Sequence, residues 1–376
     1  MATPGRGVGP GERVECPPVN VNRMARPFIA ARIEDRINRQ IDSVVRRRGW
    51  LERVIPFTGY GSSKFIRVLG RVVLSPPLAD GEVRPLSYDA PLNRRGWRNF
   101  FAAPAVATAC ECTVGDQTFL LPTDRNGYVD TRLPVRGLTP GWHHVHLRAG
   151  AHEIEAPVLI LDPEQEFGVV SDIDDTVIST SLPRPLLAAW NTFVLHESAR
   201  QAVPGMSELY RRLLSEYPEA PIVYLSTGAW NTFDTLTRFL KHHRFPDGPM
   251  LLTDWGPTNS GWFRSGQEHK RINLRDLAID FPKIQWILIG DDGQHDPSIY
   301  GEFAEAHPDR VRVIGLRQLT PGEQILSHGT FQSLELEEIA DELTVVPEVR
   351  AGDGYDLEPL LKRAMTGDLR DQREKA

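Results

Sequence analysis

Three observations predict an α/β domain built on a buried parallel sheet, preceded by a small all-β sandwich and an N-terminal amphipathic helix. After Pro163, near-continuous apolar runs alternate with stretches of helical period, as in a sheet covered on both faces. Between Phe65 and Ile160, short segments alternate apolar and polar residues and are separated by turn residues, as in antiparallel strands. Between Arg26 and Arg53, apolar residues recur every three or four positions, as on one face of a helix.

The first stretch, residues 1–24, is rich in Gly and Pro without any period and is expected to be a disordered lead. Residues 25–54 form the expected helix. Its stripe is Ile29, Ile33, Ile37, Ile41, Val44 and Val45, and Arg32, Arg36, Arg39, Arg46, Arg47 and Arg48 lie mostly off it. Two readings fit such a helix: docking on its own domain with solvated arginines, or contact with an anionic membrane surface. Residues 55–161 are the expected sandwich, with runs at Phe65–Leu74, Val106–Val114, Thr118–Leu121, Tyr128–Val135 and Trp142–Arg148, and a turn at Asp124–Gly127. His143, His144 and His146 suggest a metal at first sight. Only His144 and His146 share a strand face, and no third ligand is evident, so an exposed face is the better reading.

Residues 162–320 hold the α/β pattern. Strands are expected at Phe167–Ser171, Pro221–Leu225, Ile284–Ile289 and Val311–Leu316. Helical stretches are expected at Met206–Tyr217, Trp230–His243, Arg271–Phe281 and after Pro297. Residues 321–376 read as a tail with one helix, Leu334–Leu343, then a Gly-Asp-Gly break and a charged end.

Composition narrows the function classes. The 376 residues suffice for two domains and tails. A hydrophobic fraction of 40% with 25% charged residues is that of an ordinary globular chain. A net charge of −7 argues against a bulk nucleic-acid binder. The three cysteines, Cys16, Cys110 and Cys112, make no disulfide framework. There is no apolar signal core at the start and no run near the ~20 residues that cross a bilayer. The expected setting is cytoplasmic and reducing, with peripheral membrane contact left open; composition does not fix the oligomeric state.

The chemistry is concentrated at strand ends. Phe167-Gly-Val-Val-Ser-Asp172-Ile-Asp174-Asp175-Thr176 is a buried strand running into carboxylates at its C-terminal edge, where open α/β sheets bind ligands. Carboxylates two residues apart can converge on one hard cation, and Mg²⁺ takes oxygen ligands. A carboxylate so placed can attack phosphorus and form an aspartyl-phosphate that water later hydrolyses. An EF-hand calcium loop does not fit, because Thr176 and Val177 stand where that loop needs a ligand and a glycine. Ile222–Gly228 is a second apolar strand ending in Ser226, Thr227 and Gly228, whose hydroxyl and amide groups can hold phosphate oxygens. Lys270 can neutralise a transferring phosphoryl group. Ile287–Asp296 is a third strand with Asp291, Asp292 and Asp296 as candidate Mg²⁺ ligands beside Asp172 and Asp174.

These four pieces, in this order, resemble the four motifs of the haloacid dehalogenase superfamily across about residues 165–320. The resemblance implies a Rossmann-like parallel-sheet domain with Asp172 as nucleophile and Asp174 as general acid/base. The presence of Asp174 also argues against dehalogenation, since carbon–halogen cleavage needs no acid for the leaving group. The wording around the motifs is narrower. Ser171-Asp-Ile-Asp-Asp-Thr176, Tyr224-Leu-Ser226 with Trp230, His269-Lys270 and Ile289–Tyr300 resemble the actin-patch-protein type of phosphatidate phosphatase, a fungal family with bacterial relatives. That family implies Mg²⁺-dependent release of phosphate from phosphatidate, leaving diacylglycerol. The chain departs from the family pattern at Asp292, where the family usually has Ser, and at Thr227, where it usually has Asn. The extra carboxylate at Asp292 leaves open how the metal shell is shared.

The inserts bear on the substrate. Val177–Val203 is short and apolar, too small for a lid domain; it fits a flap over a lipid headgroup or simple packing on the domain. Thr253–Arg264 carries Trp255, Trp262 and Phe263, suited to an interface or to a structural loop. Arg264 and Arg271 are candidates to grip a second anionic group, and Thr176 a phosphate oxygen. Two other readings stand beside the lipid phosphatase: a phosphatase of a soluble phosphomonoester or phosphoprotein, and a binding or scaffold protein whose pocket has lost its activity.

Overall fold

The computed structural model describes residues 14–15, 29–77, 103–106, 108–179, 201–253, 266–293, 295–320, 322–324 and 346–366. These divide into two units, one ending at Asp162 and the other beginning at Pro163. No described helix is long and apolar enough to cross a membrane.

In the first unit, β1 (Val14–Glu15) falls within the stretch expected to be a disordered lead and pairs with Phe119 and Leu120. Helix α1 (Ile29–Arg47) stops six residues short of the expected Arg53. Its end is set by Gly49, whose φ of 77° closes the last turn, with the Gly49 amide donating to Arg46 O and Trp50 donating to Val45 O. Leu51 to Arg53 then belong to β2 (Leu51–Pro56). The remaining strands are β3 (Gly59–Ser62), β4 (Phe65–Ser75), β5 (Ala103–Pro104), β6 (Ala109–Val114), β7 (Gln117–Pro122), β8 (Tyr128–Pro134), β9 (Gly141–Ala149) and β10 (His152–Ile160).

Their hydrogen-bonded order is β1-β7-β6-β9-β10-β3-β4-β2, with β5 and β8 also on β4. The sandwich expected from the alternation is thus one continuous ladder. Long strand β4 makes this possible. Along one edge it pairs first with β3 and then with β2, and it pairs with β8 and then β5 as well. Strand β2, at the end of the order, also packs on β9 and β10, so the sheet closes around one core. Alternate residues such as Ile66, Val68, Cys110, Cys112, Leu147 and Val158 fill that core. The expected turn at Asp124 is present. The Asp124 carboxylate accepts from the Asn126 and Tyr128 amides at 2.8 Å each, and Gly127 takes a φ of 80°.

The second unit is a six-stranded sheet with every neighbour parallel, in the order β15-β14-β11-β16-β17-β18. These are Met250–Thr253, Ile222–Ala229, Phe167–Ser171, Gln285–Asp291, Val311–Arg317 and Glu348–Ala351. Numbered along the chain the order is 3-2-1-4-5-6, that of doubly wound sheets, with its reversal between β11 and β16. A two-stranded piece, β12 (Ile178–Ser179) with β13 (Gln201–Ala202), lies off the sheet. Helices α2 (Met206–Glu216), α3 (Phe233–His242), α4 (Gly266–Asp280), α5 (Asp296–Ala306) and α6 (Gly354–Thr366) connect and cover it. Helix α4 packs on α5 and on β14, whereas α6 packs on α2 and on β17 and β18.

The expected strands and helices of this region are present to within a few residues at their ends. Two parts differ from expectation. Strand β15 is only four residues long, too short to show a period. The segment read as a tail supplies β18 and α6, whose Leu357 and Leu361 pack over Gly315 of β17. As an edge strand, β18 buries only Val349 and Ala351, so its sequence lacks the apolar run that marks the central strands. The expected helix Leu334–Leu343, most of the Val177–Val203 insert and the aromatic insert with Trp255, Trp262 and Phe263 lie outside the described residues.

Candidate active site

The site is assembled where the C-terminal ends of β11, β14 and β16 meet, at the reversal in strand order. Asp172 follows β11 directly. Its amide donates to Ile289 O at 2.8 Å, which fixes it against β16, and its side chain is buried. Asp291 ends β16, and its carboxylate accepts from the Gly293 amide at 2.7 Å. Asp296 opens α5 and reaches back over Gly290, where even one added carbon would collide with the Asp296 carboxylate and with Tyr300. Oxygens of Asp172, Asp291 and Asp296 lie within 4.8 Å of one another, and all three residues are buried.

Lys270, on α4, enters the same space. Its ammonium donates to Asp172 Oδ1 at 2.6 Å and to an Asp296 oxygen. Burial alone would lower the Lys270 pKa, but Asp172 and Asp296 outweigh it and hold the ammonium charged. Three carboxylates then face one ammonium. Burial pushes Asp172 well above the usual carboxylate range, against the pull of Lys270 and with the repulsion of Asp296 and Asp174. Asp291 is raised for the same reasons, burial first and then Asp296 and Asp172. This excess of negative charge suits a hard divalent cation. Asp296 Oδ2, which lies against Gly290, has no hydrogen-bond partner among the described residues although it is buried. A buried set of three carboxylates with an oxygen left over is a donor set that fits Mg²⁺.

Asp174 and Asp292 lie outside the set of three clustered carboxylates. Ser226 donates its hydroxyl to Asp174 Oδ2 at 2.9 Å and in turn accepts from the Gly228 amide at 2.8 Å. This places the Asp174 carboxylate at the mouth of β14, half-buried, beside the three clustered carboxylates and close enough to repel Asp172. The Asp292 carboxylate accepts from the Leu319 amide at 2.8 Å, which ties the loop after β16 to the chain leaving β17. It is not one of the three clustered carboxylates, and a part in holding a metal would fall to its other oxygen. Thr176 is fully buried, with a hydroxyl that has no hydrogen-bond partner among the described residues. Thr227 is half-buried, its methyl group against Gly266 at the start of α4.

Arg271 follows Lys270 on the helix, so it points about 100° away. There it makes a two-pronged pair with Glu302 at 2.7 and 2.8 Å, which a grip on a second anionic group would have to displace. Arg264 lies outside the described residues.

Sequence reasoning missed the support beneath the loop. Asp175 has a φ of 61°, a strained value for a residue with a side chain. Buried Arg317 donates to the Asp175 carbonyl at 2.8 Å, to Glu323 at 2.7 Å and to Gly352 O at 3.2 Å. Ser171, below Asp172, shares a 2.7 Å hydrogen bond with the buried Tyr210 hydroxyl. No local pattern marks these contacts, because all but the Arg317–Glu323 pair join residues distant along the chain.

Comparison with known proteins falls on the same unit. Residues 167–318 match the family model described as the catalytic domain of phosphatidate phosphatase APP1. The chain is similar to phosphatidate phosphatase APP1 of Saccharomyces cerevisiae, 26% identical over 152 residues, which cover 40% of this chain and 26% of that protein. It is also similar to an uncharacterized protein of Schizosaccharomyces pombe, 26% identical over 170 residues, 45% of this chain and 27% of that protein. The chain thus spans about a quarter of the length of the curated relatives it matches. Among solved structures, a carbohydrate acetylesterase from Xanthomonas citri aligns over 82% of this chain and 71% of its own, at 10% identity and a TM-score of 0.30, too distant to bear on the fold or the site. The likeness that reaches the candidate site is therefore to the catalytic domain of a phosphatidate phosphatase family.

Proposed function

We propose that this chain is a Mg²⁺-dependent phosphatase of the haloacid dehalogenase type, acting on phosphatidate through an aspartyl-phosphate on Asp172. The observation that supports it most is the buried cluster of Asp172, Asp291 and Asp296 around Lys270, within the residues that match the phosphatidate phosphatase catalytic domain. Asp172, Asp291 and Asp296 would hold the ion, which when bound neutralises charge between the carboxylates and the phosphoryl oxygens.

The rest of the chemistry belongs to the side chains. Lys270 holds Asp172 Oδ1, leaving Oδ2 to attack phosphorus. As the bond from phosphorus to the glycerol oxygen breaks, Asp174 gives that oxygen its proton, and diacylglycerol leaves. A water molecule then loses a proton to Asp174 and attacks the phosphorus. This breaks the bond to Asp172 and releases inorganic phosphate. The Ser226 hydroxyl orients Asp174 for both transfers.

Phosphate release from phosphatidate in mixed micelles tests this reading, with Mg²⁺ or EDTA, for the chain and for Asp172→Asn. The expected result is Mg²⁺-dependent release that the variant loses by about 10³-fold or more, as for a missing nucleophile. Turnover of an aryl phosphate but not of phosphatidate would keep the mechanism and point to a soluble phosphomonoester or a phosphoprotein. Full activity in Asp172→Asn would remove the nucleophile from the scheme.

A further inference from the structure

Helix α1 attaches to its unit by its polar face. Asn38 donates to Asn126 Oδ1 at 3.2 Å, and the Asp42 carboxylate accepts from the Val106 amide at 3.3 Å. Arg46 bonds to Asp42, Glu52 and Thr108 at 2.9, 2.6 and 2.9 Å, and Val45 is buried beside them. Three residues of the apolar stripe are left facing outward. Ile37, Ile41 and Val44, spaced to share one side of the helix, are 49%, 41% and 45% exposed.

From Arg36 onward the charges around the stripe are almost all positive, with Glu34 and Asp35 in the turn before. Between Arg36 and Arg48 the only acid is Asp42, which is turned onto Val106 and Arg46. Arg36, Arg39, Arg47 and Arg48 are exposed, in a chain whose net charge is −7. We propose that this face docks the protein on an anionic lipid surface. Ile37, Ile41 and Val44 enter the boundary between headgroups and acyl chains, while Arg36, Arg47 and Arg48 meet phosphate headgroups. The long arginine stems reach outward to the headgroups as the isoleucines sink. A second copy of the chain suits the face poorly, because it would set arginines against arginines. The stripe is also narrow beside the ~800 Å² per partner of a standard interface.

The proposal goes beyond the phosphatase reading and does not rest on it. Flotation of the full chain tests it, using vesicles of phosphatidylcholine alone or mixed with phosphatidylglycerol, which brings charge without the proposed substrate. The variants are Ile37→Gln with Ile41→Gln, and Arg36→Gln with Arg47→Gln; glutamine keeps the helix propensity. The chain is expected to float with the charged vesicles and not with the neutral ones. Each double variant should lose about tenfold or more of that binding, with an unchanged melting temperature. Added salt should weaken the parent's binding. Undiminished flotation of the isoleucine variant, or no flotation of the parent with charged vesicles, would overturn the proposal. So would a dimer in sedimentation that the isoleucine variant dissociates, since that assigns the stripe to a second copy. Flotation needs no turnover, so failure of the phosphatase reading would leave this result standing.

Discussion

At the scale of single residues, the site depends on close approach. Asp296 reaches the cluster only because Gly290 has no side chain. The substitution Gly290→Ala should push Asp296 and Tyr300 aside, at a stability cost of about 1–3 kcal/mol, as for overpacking elsewhere. It should also weaken Mg²⁺ binding in calorimetry by more than it lowers the melting temperature. Unchanged Mg²⁺ affinity would separate Asp296 from the ion. This requirement was partly legible in the sequence. The strand ending in Gly290-Asp291 and the later Asp296 were visible, but not that Asp296 folds back over the glycine. Asp172 and Ser226 stand out in the sequence because each lies at the end of an apolar strand, whereas Lys270 is marked only by its place between the second and third of these strands. That Arg271 takes a different side of the helix from Lys270 follows from the helical period and not from adjacency.

At the scale of elements, the strained turn at Asp175 relies on the end of β17. Arg317 reaches it across 142 positions of sequence, and no local pattern could have announced that contact. Arg317→Met should destabilise the protein by about 3 kcal/mol, as for a buried pair that loses one partner. It should lower kcat more than it raises KM, because the turn that carries Asp172 and Asp174 loosens. A fall in melting temperature with kcat unchanged would make Arg317 structural only.

Strand β6 offers a pH test. Burial pushes the Cys110 and Cys112 thiols up to about 12. In the unfolded chain they ionise near the usual ~8.5. The folded form therefore keeps its advantage below that value and loses it as pH rises from there toward 12. Both thiols should resist alkylation at pH 8 until denaturant is added. Rapid modification of the folded protein would contradict the packing of β6. Burial of these two cysteines was readable from their alternation. The outward face of α1 was not, because periodicity shows that a stripe exists and not which side is docked.

At the scale of the whole molecule, the chain folds as two units, and the proposed reaction belongs to the second. The central strands of the parallel sheet were legible because strands buried on both faces read as unbroken apolar runs. Its edge, β18 with α6, was hidden by polar composition, so the α/β unit continues past the apparent tail. The single curled ladder of the first unit was legible only as alternation. The partner changes along β4 depend on pairing between distant strands. The proposed reaction stands or falls with the covalent step at Asp172. Rapid acid quench of the Asp174→Asn variant mixed with phosphatidate and Mg²⁺, followed by mass spectrometry of the peptide holding residues 167–179, would catch that step. The expected result is one added phosphoryl group on Asp172, absent when EDTA replaces Mg²⁺ and absent in a variant that also carries Asp172→Asn. A peptide that stays unmodified while phosphate is released, or a phosphoryl group on another residue, would contradict the account.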